Sequence, residues 1–247
     1  MSNISSFWSH KVGVLTPATN VTVENELWNM KIDPVTIATS RIKIDTLDWT
    51  APDGIQKFVE AVASRLPETA KRLQCKPDSL LLAISSSSLW GGLEGNEKLK
   101  NHISSITGLD MVTPADAVVA AVNKLKLKRV GVITPFPSLA DKRIVNFFKE
   151  FNVEVVSQKG MRADNPTEIG HFSERVLLDA VKEVNSDKVD AVIQLGTELT
   201  MARVAPIAEG WLNKPVFSVN ATTWWHFLRK NKFEHQLSGW GTLLQNY

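Results

Sequence analysis

Cysteine is nearly absent from this chain of 247 residues, which contains Cys75 and no other cysteine. One cysteine cannot form an internal disulfide, and it cannot build a cysteine metal site by itself. The sequence also lacks a glycine-rich phosphate loop of the Walker type, and no His, Asp and Glu residues have the spacing of metal ligands. We therefore expect no metal and no nucleotide or other cofactor.

The chain has no excess of charge of one sign and no long hydrophobic run. Its 28 lysines and arginines nearly balance 26 aspartates and glutamates, and the basic segment 124–129 is interleaved with leucines. This balance argues against a nucleic-acid or anionic-membrane partner. No run approaches the roughly 18 apolar residues of a membrane span, and residues 1–10 lack the apolar segment of a secretion signal. We expect a cytoplasmic protein.

What the chain does contain is an internal repeat. The segment KVGVLTP at residues 11–17 returns 118 residues later as RVGVITP at residues 129–135. Further segments match at a similar offset: residues 35–38 with 153–156, and residues 80–85 with 190–195. Self-similarity of this kind predicts one α/β unit that is used twice. The equivalent strand ends of such a duplicate face one another, so we expect the active site in a cleft between the halves.

Short β-branched runs alternate with helical spacing along the whole chain. We predict strands at residues 12–15, 35–44, 79–84, 130–133, 153–157, 191–195 and 215–219, and helices at 23–30, 54–73, 115–127, 139–151, 172–184 and 221–230. Gly91 and Gly92 are expected to break the structure. The alternation predicts an α/β fold of two pseudo-symmetric parallel-sheet domains. The first would comprise residues 1–113 and a returning C-terminal segment, residues 220–247, and the second residues 114–219.

Small polar residues follow four of the predicted strands. The candidate site residues at these strand ends are Thr16 and Asn20 after the first strand, Ser85 and Ser86 after the third, Thr134 with Phe136 after the repeat of the first, and Gly196, Thr197 and Glu198 after the repeat of the third. Such residues offer side-chain donors together with free backbone N–H groups, as a carboxylate or enolate oxygen requires. Each residue alone also fits a helix cap or a turn. Four clusters at symmetry-related strand ends favour a binding site.

Several motifs occur in an order that resembles a known family. They are residues 12–20 (VGVLTPATN), residues 85–92 (SSSSLWGG), Thr113-Pro114, Thr134-Pro135, residues 214–220 (KPVFSVN) and Trp225-His226. Together they resemble the aspartate/glutamate racemase superfamily, and within it the branch of maleate cis-trans isomerase and arylmalonate decarboxylase. The resemblance covers about residues 11–229.

This resemblance implies two pseudo-symmetric α/β domains with a small carboxylate substrate between them. Members of the family commonly use a cysteine at the end of each of two equivalent strands, and decarboxylases of the branch keep one of the two. Here those positions align with Ile84 and Gly196, and the tyrosine that often follows the second-half Thr-Pro is Phe136. We therefore expect an activity without a catalytic thiol.

Cys75 is not expected to replace the missing cysteines. It precedes the predicted strand at residues 79–84. Six strand residues at about 3.3 Å each place it roughly 20 Å from the carboxyl end of that strand. A lone cysteine is more often a small buried apolar residue than a nucleophile.

Carried over position by position, the resemblance also implies a substrate-binding set. Asn20, Ser85 and Ser86, with Thr197 and Asn220 behind them, would hold the substrate carboxylates, and Ser85 with Ser86 would form a pocket like an oxyanion hole. The set is completed by Thr16, Thr134, Phe136 and Gly196.

Two residues are candidates for the acid or base. Desolvation at a partly closed strand end can raise the pKa of the Glu198 carboxyl toward neutrality. The alternative for Glu198 is a carboxylate in the first turn of a helix, favoured by the helix dipole. His226 is the other candidate base, and its alternative is a packed or solvent-facing histidine on the predicted helix at residues 221–230.

The aromatic residues suggest an apolar wall around the site, formed by Phe136, Trp90, Trp224 and Trp225. A substrate with an apolar or unsaturated portion beside its carboxylate fits such a wall better than a bare amino acid does.

Three functions remain open. The first is a cofactor-independent lyase of the decarboxylase type, which acts α to the carboxylate of a small, partly apolar carboxylic acid through an enolate held by Ser85 and Ser86. The second is an isomerase of the maleate isomerase type, or a hydrolase, that uses Glu198 or His226. The third is a carboxylate-binding protein without catalytic activity. Assembly as a homo-oligomer is left open.

Overall fold

A computed structural model describes residues 8–45 and 48–247 and contains two four-stranded parallel sheets. The first sheet has the order β2-β1-β3-β4 and the second the order β6-β5-β7-β8. The strands are β1 (His10–Pro17), β2 (Val35–Ile42), β3 (Ser79–Leu82), β4 (Met111–Val112), β5 (Arg129–Thr134), β6 (Glu154–Gly160), β7 (Ala191–Gln194) and β8 (Val216–Ser218). The predicted parallel α/β architecture is confirmed.

Helices connect the strands and cover the sheets. They are α1 (Thr22–Asn29), α2 (Gly54–Lys71), α3 (Ser85–Leu89), α4 (Gly92–Thr107), α5 (Pro114–Leu125), α6 (Asp141–Lys149), α7 (Glu174–Val184), α8 (Val204–Leu212), α9 (Val219–Lys230) and α10 (Thr242–Asn246), with short 3-10 helices at Ser138–Ala140 and Pro166–His171. None of the helices in the described part of the chain has the length and apolar character needed to cross a bilayer.

The sequence repeat has a packing cause in the structure. Strands β1 and β5 occupy the same place in their sheets, and each is central between two parallel neighbours. A Cβ atom at Gly131 would lie 2.5 Å from the Val184 carbonyl oxygen at the end of α7, and one at Gly13 would lie 2.5 Å from Leu73 Cδ1. The Val-Gly-Val segment therefore recurs because the chain passes close to the middle of each central strand.

Four of the observed helices, α3, α4, α8 and α10, and the short strand β4 were not predicted from the sequence. Gly92 begins α4 rather than breaking the structure, because the Glu150 carboxylate accepts a hydrogen bond from the Leu93 N–H at 2.8 Å. Helix α8 contains Pro206 in its first turn, where proline is tolerated because the N–H groups there have no intrahelical partner.

Helix α9, which begins the returning C-terminal segment, packs against α1 and α5. The Trp224 indole donates a hydrogen bond to the Met30 carbonyl at 2.8 Å, and its ring stacks on Phe227 with centroids 5.0 Å apart. These contacts attach the end of the chain to the element that follows β1. The division at residues 113 and 219 into two domains stays a prediction.

Candidate active site

A narrow cavity of about 40 Å³ lies where the carboxyl ends of the two sheets meet. Its wall comes from the loops that follow β1, β2, β3, β5, β6 and β7. The lining residues are Pro17, Thr19, Asn20, Trp49, Phe58, Ile84, Ser85, Ser86, Phe136, Pro166, Ile169, Gly196, Thr197 and Glu198. Function was expected at these strand ends, because parallel strands direct their carboxyl ends to one edge.

The structure brings most of the predicted site residues to this cavity and leaves others elsewhere. Those on the wall are Asn20, Ser85, Ser86, Phe136, Gly196, Thr197 and Glu198. The predicted residues that do not line it are Thr16, Thr134, Asn220 and His226. Thr16 and Thr134 are fully buried at the ends of β1 and β5, and within the described ranges their hydroxyls have no hydrogen-bond partner.

Ser85 and Ser86 begin the short helix α3 directly after β3. The Ser85 hydroxyl accepts a hydrogen bond from the Gly196 N–H at 3.1 Å, which links the end of β3 to the end of β7. Ile84 precedes the helix and provides no side-chain cap. The first N–H groups of α3 therefore lack an intrahelical acceptor and lie beside the two hydroxyls.

Asn20 and Thr197 are bound to each other across the two halves of the chain. The Asn20 amide donates to the Thr197 hydroxyl at 3.3 Å, and its oxygen accepts from the Val23 N–H at 2.9 Å. The Thr197 hydroxyl donates in turn to the Ala83 carbonyl at 2.9 Å. These two side chains fix the loops after β1, β3 and β7 relative to one another.

Glu198 is the ionisable residue on the cavity wall, and its side chain is bound to a distant part of the chain. Both carboxylate oxygens accept from the Val21 N–H, at 3.1 and 3.0 Å, and the Glu198 carbonyl accepts from the Thr22 hydroxyl at 2.8 Å. The carboxylate therefore lies at the start of α1. The expectation that Glu198 sits in the first turn of its own helix is wrong, since it lies in the loop before α8.

Burial raises the pKa of Glu198 to about 7, against the opposing effects of the Val21 hydrogen bond and of Arg41. Within the described residues, the cavity wall contains no lysine, arginine or histidine. Arg41 itself is bound to Glu24 at 2.5 Å and to the Asn20 carbonyl at 2.6 Å. The site thus offers neutral donors and a carboxyl group that titrates near neutrality.

A second buried carboxyl group, Glu26, was missed by the sequence analysis. Its oxygens accept from the Ala202 N–H at 2.9 Å and from the Asn220 amide at 2.6 Å, while the same amide donates to the Thr197 carbonyl at 2.9 Å. Burial, assisted by the charge of Glu198, raises the pKa of Glu26 to about 7 against the opposing effect of the hydrogen bonds from Asn220 and Ala202. Asn220 therefore acts behind the cavity wall, where it connects Glu26 to the loop that carries Glu198.

Replacing Glu26 by glutamine is expected to flatten the pH dependence of stability. The folded-state pKa of about 7 lies above the ordinary value of 4.5, so the folded protein retains a proton that the unfolded chain releases. The stability that this proton provides is complete below pH 4.5 and is lost as the pH rises through 7. At about 1.36 kcal/mol per pKa unit, Glu26 alone lowers the wild-type free energy of unfolding by about 3 kcal/mol over this window, while the contribution of Glu198 is common to both proteins.

Urea unfolding of both proteins at several pH values across this window measures the effect. The exposed Glu60→Gln variant on α2 carries the same chemical change and serves as the control. An equal pH dependence in wild type and Glu26→Gln would contradict the assignment.

His226 lies outside this cavity. It borders a separate open groove between α4, α5 and α9, together with Lys100, Asp116 and Lys230. Burial lowers the pKa of its imidazole. The hypothesis that His226 is the base of the site is therefore withdrawn.

Of the aromatic residues expected in the apolar wall, Phe136 lines the cavity, whereas Trp90 borders a separate small cavity next to it. Trp224 and Trp225 are buried in the packing of α9, where the Trp225 indole donates to the Tyr247 carbonyl at 2.9 Å. The rest of the wall is formed by Trp49 and Phe58 together with Ile84. Trp49 and Phe58 come after β2, a strand end at which no site residue was predicted from the sequence.

Cys75 is exposed and lies in the loop that precedes β3, at the opposite end of that strand from Ser85. The cavity is therefore built without a thiol. At Gly196 the backbone has a φ of +100°, and a Cβ atom would overlap Pro135 Cδ. A cysteine at this position is incompatible with the observed backbone, so more than a side-chain replacement separates this loop from one that carries a thiol there.

Comparisons with known proteins agree with this architecture. A family model described as arylmalonate decarboxylase matches residues 12–244. The maleate isomerase of Alcaligenes faecalis is 23% identical over 248 residues, which cover 96% of each chain. The maleate isomerase of Pseudomonas putida is 22% identical over 243 residues, covering 95% of this chain and 97% of the relative.

Two solved folds are similar over nearly the whole chain. The Nocardia farcinica maleate cis-trans isomerase with a covalently bound succinylcysteine intermediate has a TM-score of 0.85 at 19% identity, covering 96% of this chain and 99% of that one. Arylmalonate decarboxylase has a TM-score of 0.74 at 18% identity, covering 95% and 98%. Since the family model spans nearly the full length of the sequence, the chain belongs to the arylmalonate decarboxylase family.

Proposed function

We propose that the protein is a cofactor-independent decarboxylase that acts on small, partly apolar malonate-type acids without a catalytic cysteine. The observation that carries the proposal is the pairing, in one cavity, of the Ser85 and Ser86 hydroxyls with the Glu198 carboxyl group. The family model is that of arylmalonate decarboxylase, whereas the curated relatives are maleate isomerases. Decarboxylation needs a proton donor, which Glu198 can supply, and does not need a covalent bond to a thiol.

The reaction needs two functions that these residues can supply. The bond between the α-carbon and one carboxylate breaks, carbon dioxide leaves, and the electron pair moves into an enolate of the remaining carboxyl group. Ser85 and Ser86 line the cavity at the start of α3, and in this proposal their hydroxyls and the first N–H groups of that helix stabilise the enolate oxygen. The Glu198 carboxyl then gives its proton to the α-carbon and regains one from water.

The raised pKa of Glu198 suits this role on electrostatic grounds. An ionised Glu198 would repel a carboxylate substrate in a cavity whose described wall has no cationic side chain. The protonated carboxyl group can accept from the Val21 N–H with one oxygen and donate from the other. Substrate binding and proton donation therefore both require the acid form, which predominates below a pH of about 7.

The apolar wall supports loss of carbon dioxide rather than binding alone. Ile84, Phe136 and Trp49 are each less than 5% exposed and offer no partner for a charge apart from the Trp49 indole N–H. A carboxylate held against such a surface loses its hydration. The carbon dioxide that it forms is neutral and does not require hydration, so the surface favours its release.

Maleate isomerisation is the second candidate, and its support is the curated relatives that carry that name. In one similar structure the intermediate is a succinylcysteine, a covalent bond to a thiol. This chain has no cysteine at the cavity that could form such a bond. A thiol-free isomerase would need Glu198 or a serine as its nucleophile.

A substrate panel distinguishes the candidates. Purified protein is incubated in D₂O with phenylmalonate, methylphenylmalonate or maleate, and the products are followed by proton NMR. The decarboxylase predicts release of carbon dioxide from the malonates with deuterium at the α-carbon, and no fumarate from maleate. Formation of fumarate alone would favour the isomerase, and no turnover of any acid would favour a binding protein.

Replacement of Cys75 by alanine is expected to leave turnover within a few-fold of wild type. The thiol is exposed and lies before β3, so it cannot reach the cavity at the other end of that strand. Initial rates with the best acid of the panel, before and after treatment with iodoacetamide, measure this. Inactivation by iodoacetamide that disappears in Cys75→Ala would contradict a thiol-free mechanism.

A further inference from the structure

A wider cavity adjoins the one that contains Ser85 and Glu198. Its volume is about 360 Å³, against about 40 Å³ for the inner cavity. The two share wall residues, among them Trp49, Phe58 and Pro166, and the outer cavity adds Ile44 and Asn165. A ligand held by its carboxylate in the inner cavity can therefore extend an arm past Trp49 into the outer one.

Trp49 is fixed between these cavities by two aromatic neighbours. Its ring meets Phe58 edge-on with centroids 5.2 Å apart, and it is tilted against Phe136 at 6.3 Å. The residue is 3% exposed. These contacts position the indole without using its N–H group.

The Trp49 N–H is buried and has no hydrogen-bond partner in residues 8–45 and 48–247. The buried indoles of Trp224 and Trp225 each donate to a backbone carbonyl. A buried donor without an acceptor is destabilising, and an acceptor on a bound ligand would satisfy it. The unpartnered donor lies in the wall of a cavity that is large enough for part of a ligand.

We propose that the outer cavity binds an uncharged arm of the substrate that carries a hydrogen-bond acceptor, and that Trp49 donates to this acceptor. The inference rests on the proposed function for the place of the carboxylate in the inner cavity. An anionic arm is disfavoured. The Asp45 carboxylate in the outer wall would repel it, and the cation Arg65 is already bound to Asp45 at 2.5 Å. Carbonyl-substituted aryl acids have the required chemistry.

The test compares acids of equal shape that differ in the acceptor. The probes are 4-acetylphenylacetate and 4-isopropylphenylacetate, with the corresponding 3-substituted pair. Neither is a malonate, so binding is measured without turnover. In protein labelled with ¹⁵N at the indoles, the Trp49 N–H signal should move downfield with an acetyl acid and remain near its free position with the isopropyl acid.

Isothermal titration supplies the second readout. Wild type should prefer the better acetyl acid by about tenfold, and Trp49→Phe should lose that preference, because its affinity for the acetyl acid falls more than its affinity for the isopropyl acid. Trp28→Phe, at an exposed position on α1, is the matched control and should keep the preference. If Trp49→Phe does not fold, the wild-type spectra still decide the question, with the indole signals assigned by triple-resonance experiments.

An unmoved Trp49 signal with both acetyl acids would overturn the proposal, as would a preference that persists in Trp49→Phe. Failure of the proposed reaction would appear differently. In that case no malonate would release carbon dioxide, while the Trp49-dependent preference between the acetyl and isopropyl acids would remain.

Discussion

Glu198→Gln is expected to lower kcat/KM by about a hundredfold or more for an acid that the protein decarboxylates. This is the usual effect of removing a positioned proton donor. Glutamine retains an oxygen that can accept from the Val21 N–H, so the start of α1 stays capped and the free energy of unfolding should change by about 1 kcal/mol or less. The loss of rate would therefore report the proton and not the fold. Initial rates and urea unfolding measure the two quantities.

The pH dependence of kcat/KM provides a second test of the role of Glu198. Since the acid form is active and its pKa is about 7, wild-type kcat/KM should be constant below that pH and fall about tenfold per unit above it. The glutamine variant should lack this limb. Glu168→Gln, an exposed position in the 3-10 helix beside the cavity, is the control and should retain both rate and limb. A Glu198→Gln protein with wild-type rate and profile would remove Glu198 from the mechanism.

Replacing both Ser85 and Ser86 by alanine is expected to lower kcat by about a hundredfold or more, with a smaller change in KM. Charge on the enolate oxygen grows toward the transition state, so its donors act there more than in the bound substrate. A binding protein would instead lose affinity for the acid. Steady-state kinetics with the best malonate, together with titration of phenylacetate, separate the two outcomes.

The single variants Ser85→Ala and Ser86→Ala distinguish the roles of the two hydroxyls. Ser85 also accepts from the Gly196 N–H, so Ser85→Ala should loosen the contact between the loops after β3 and β7 as well as remove a donor. Ser86→Ala removes a donor alone. Ser87→Ala, on the same short helix but away from the cavity wall, is the matched control and should keep wild-type kcat. Unchanged kcat in the double variant would contradict the enolate mechanism.

The alternation of elements and the place of the cavity could be predicted, because both follow from local patterns. A buried parallel strand reads as a β-branched run, and its carboxyl end is marked by the polar residue that follows. Ser85, Thr197 and Glu198 were found in this way. The helix α4 was missed, since its start is stabilised by Glu150, a side chain 57 residues from Leu93 along the chain.

Other site residues gave no local signal. Trp49 lies on the β2–α2 connection and Phe58 in the second turn of α2, and at either place an aromatic residue has the same sequence appearance whether it fills a core or lines a cavity. Glu26 has the pattern of an ordinary helix carboxylate, and its burial arises from Ala202 and Asn220, more than 170 residues away. His226 was selected for its chemistry, but the side of α9 on which it lies is set by the packing of that helix against α1 and α5.

By itself the sequence determined the duplicated α/β plan, the strand ends at which function is expected, and the position of the single cysteine before the third strand, because each of these is fixed by neighbours along the chain or by composition. Only the tertiary structure decided which polar groups meet. It placed the Glu198 carboxylate on the Val21 N–H just before α1, joined Asn20 to Thr197, and left the Trp49 indole without a partner among the described residues. The physical reason is that burial and hydrogen bonding depend on distances between atoms from both halves of the chain, and these distances exist only once the two sheets have packed together.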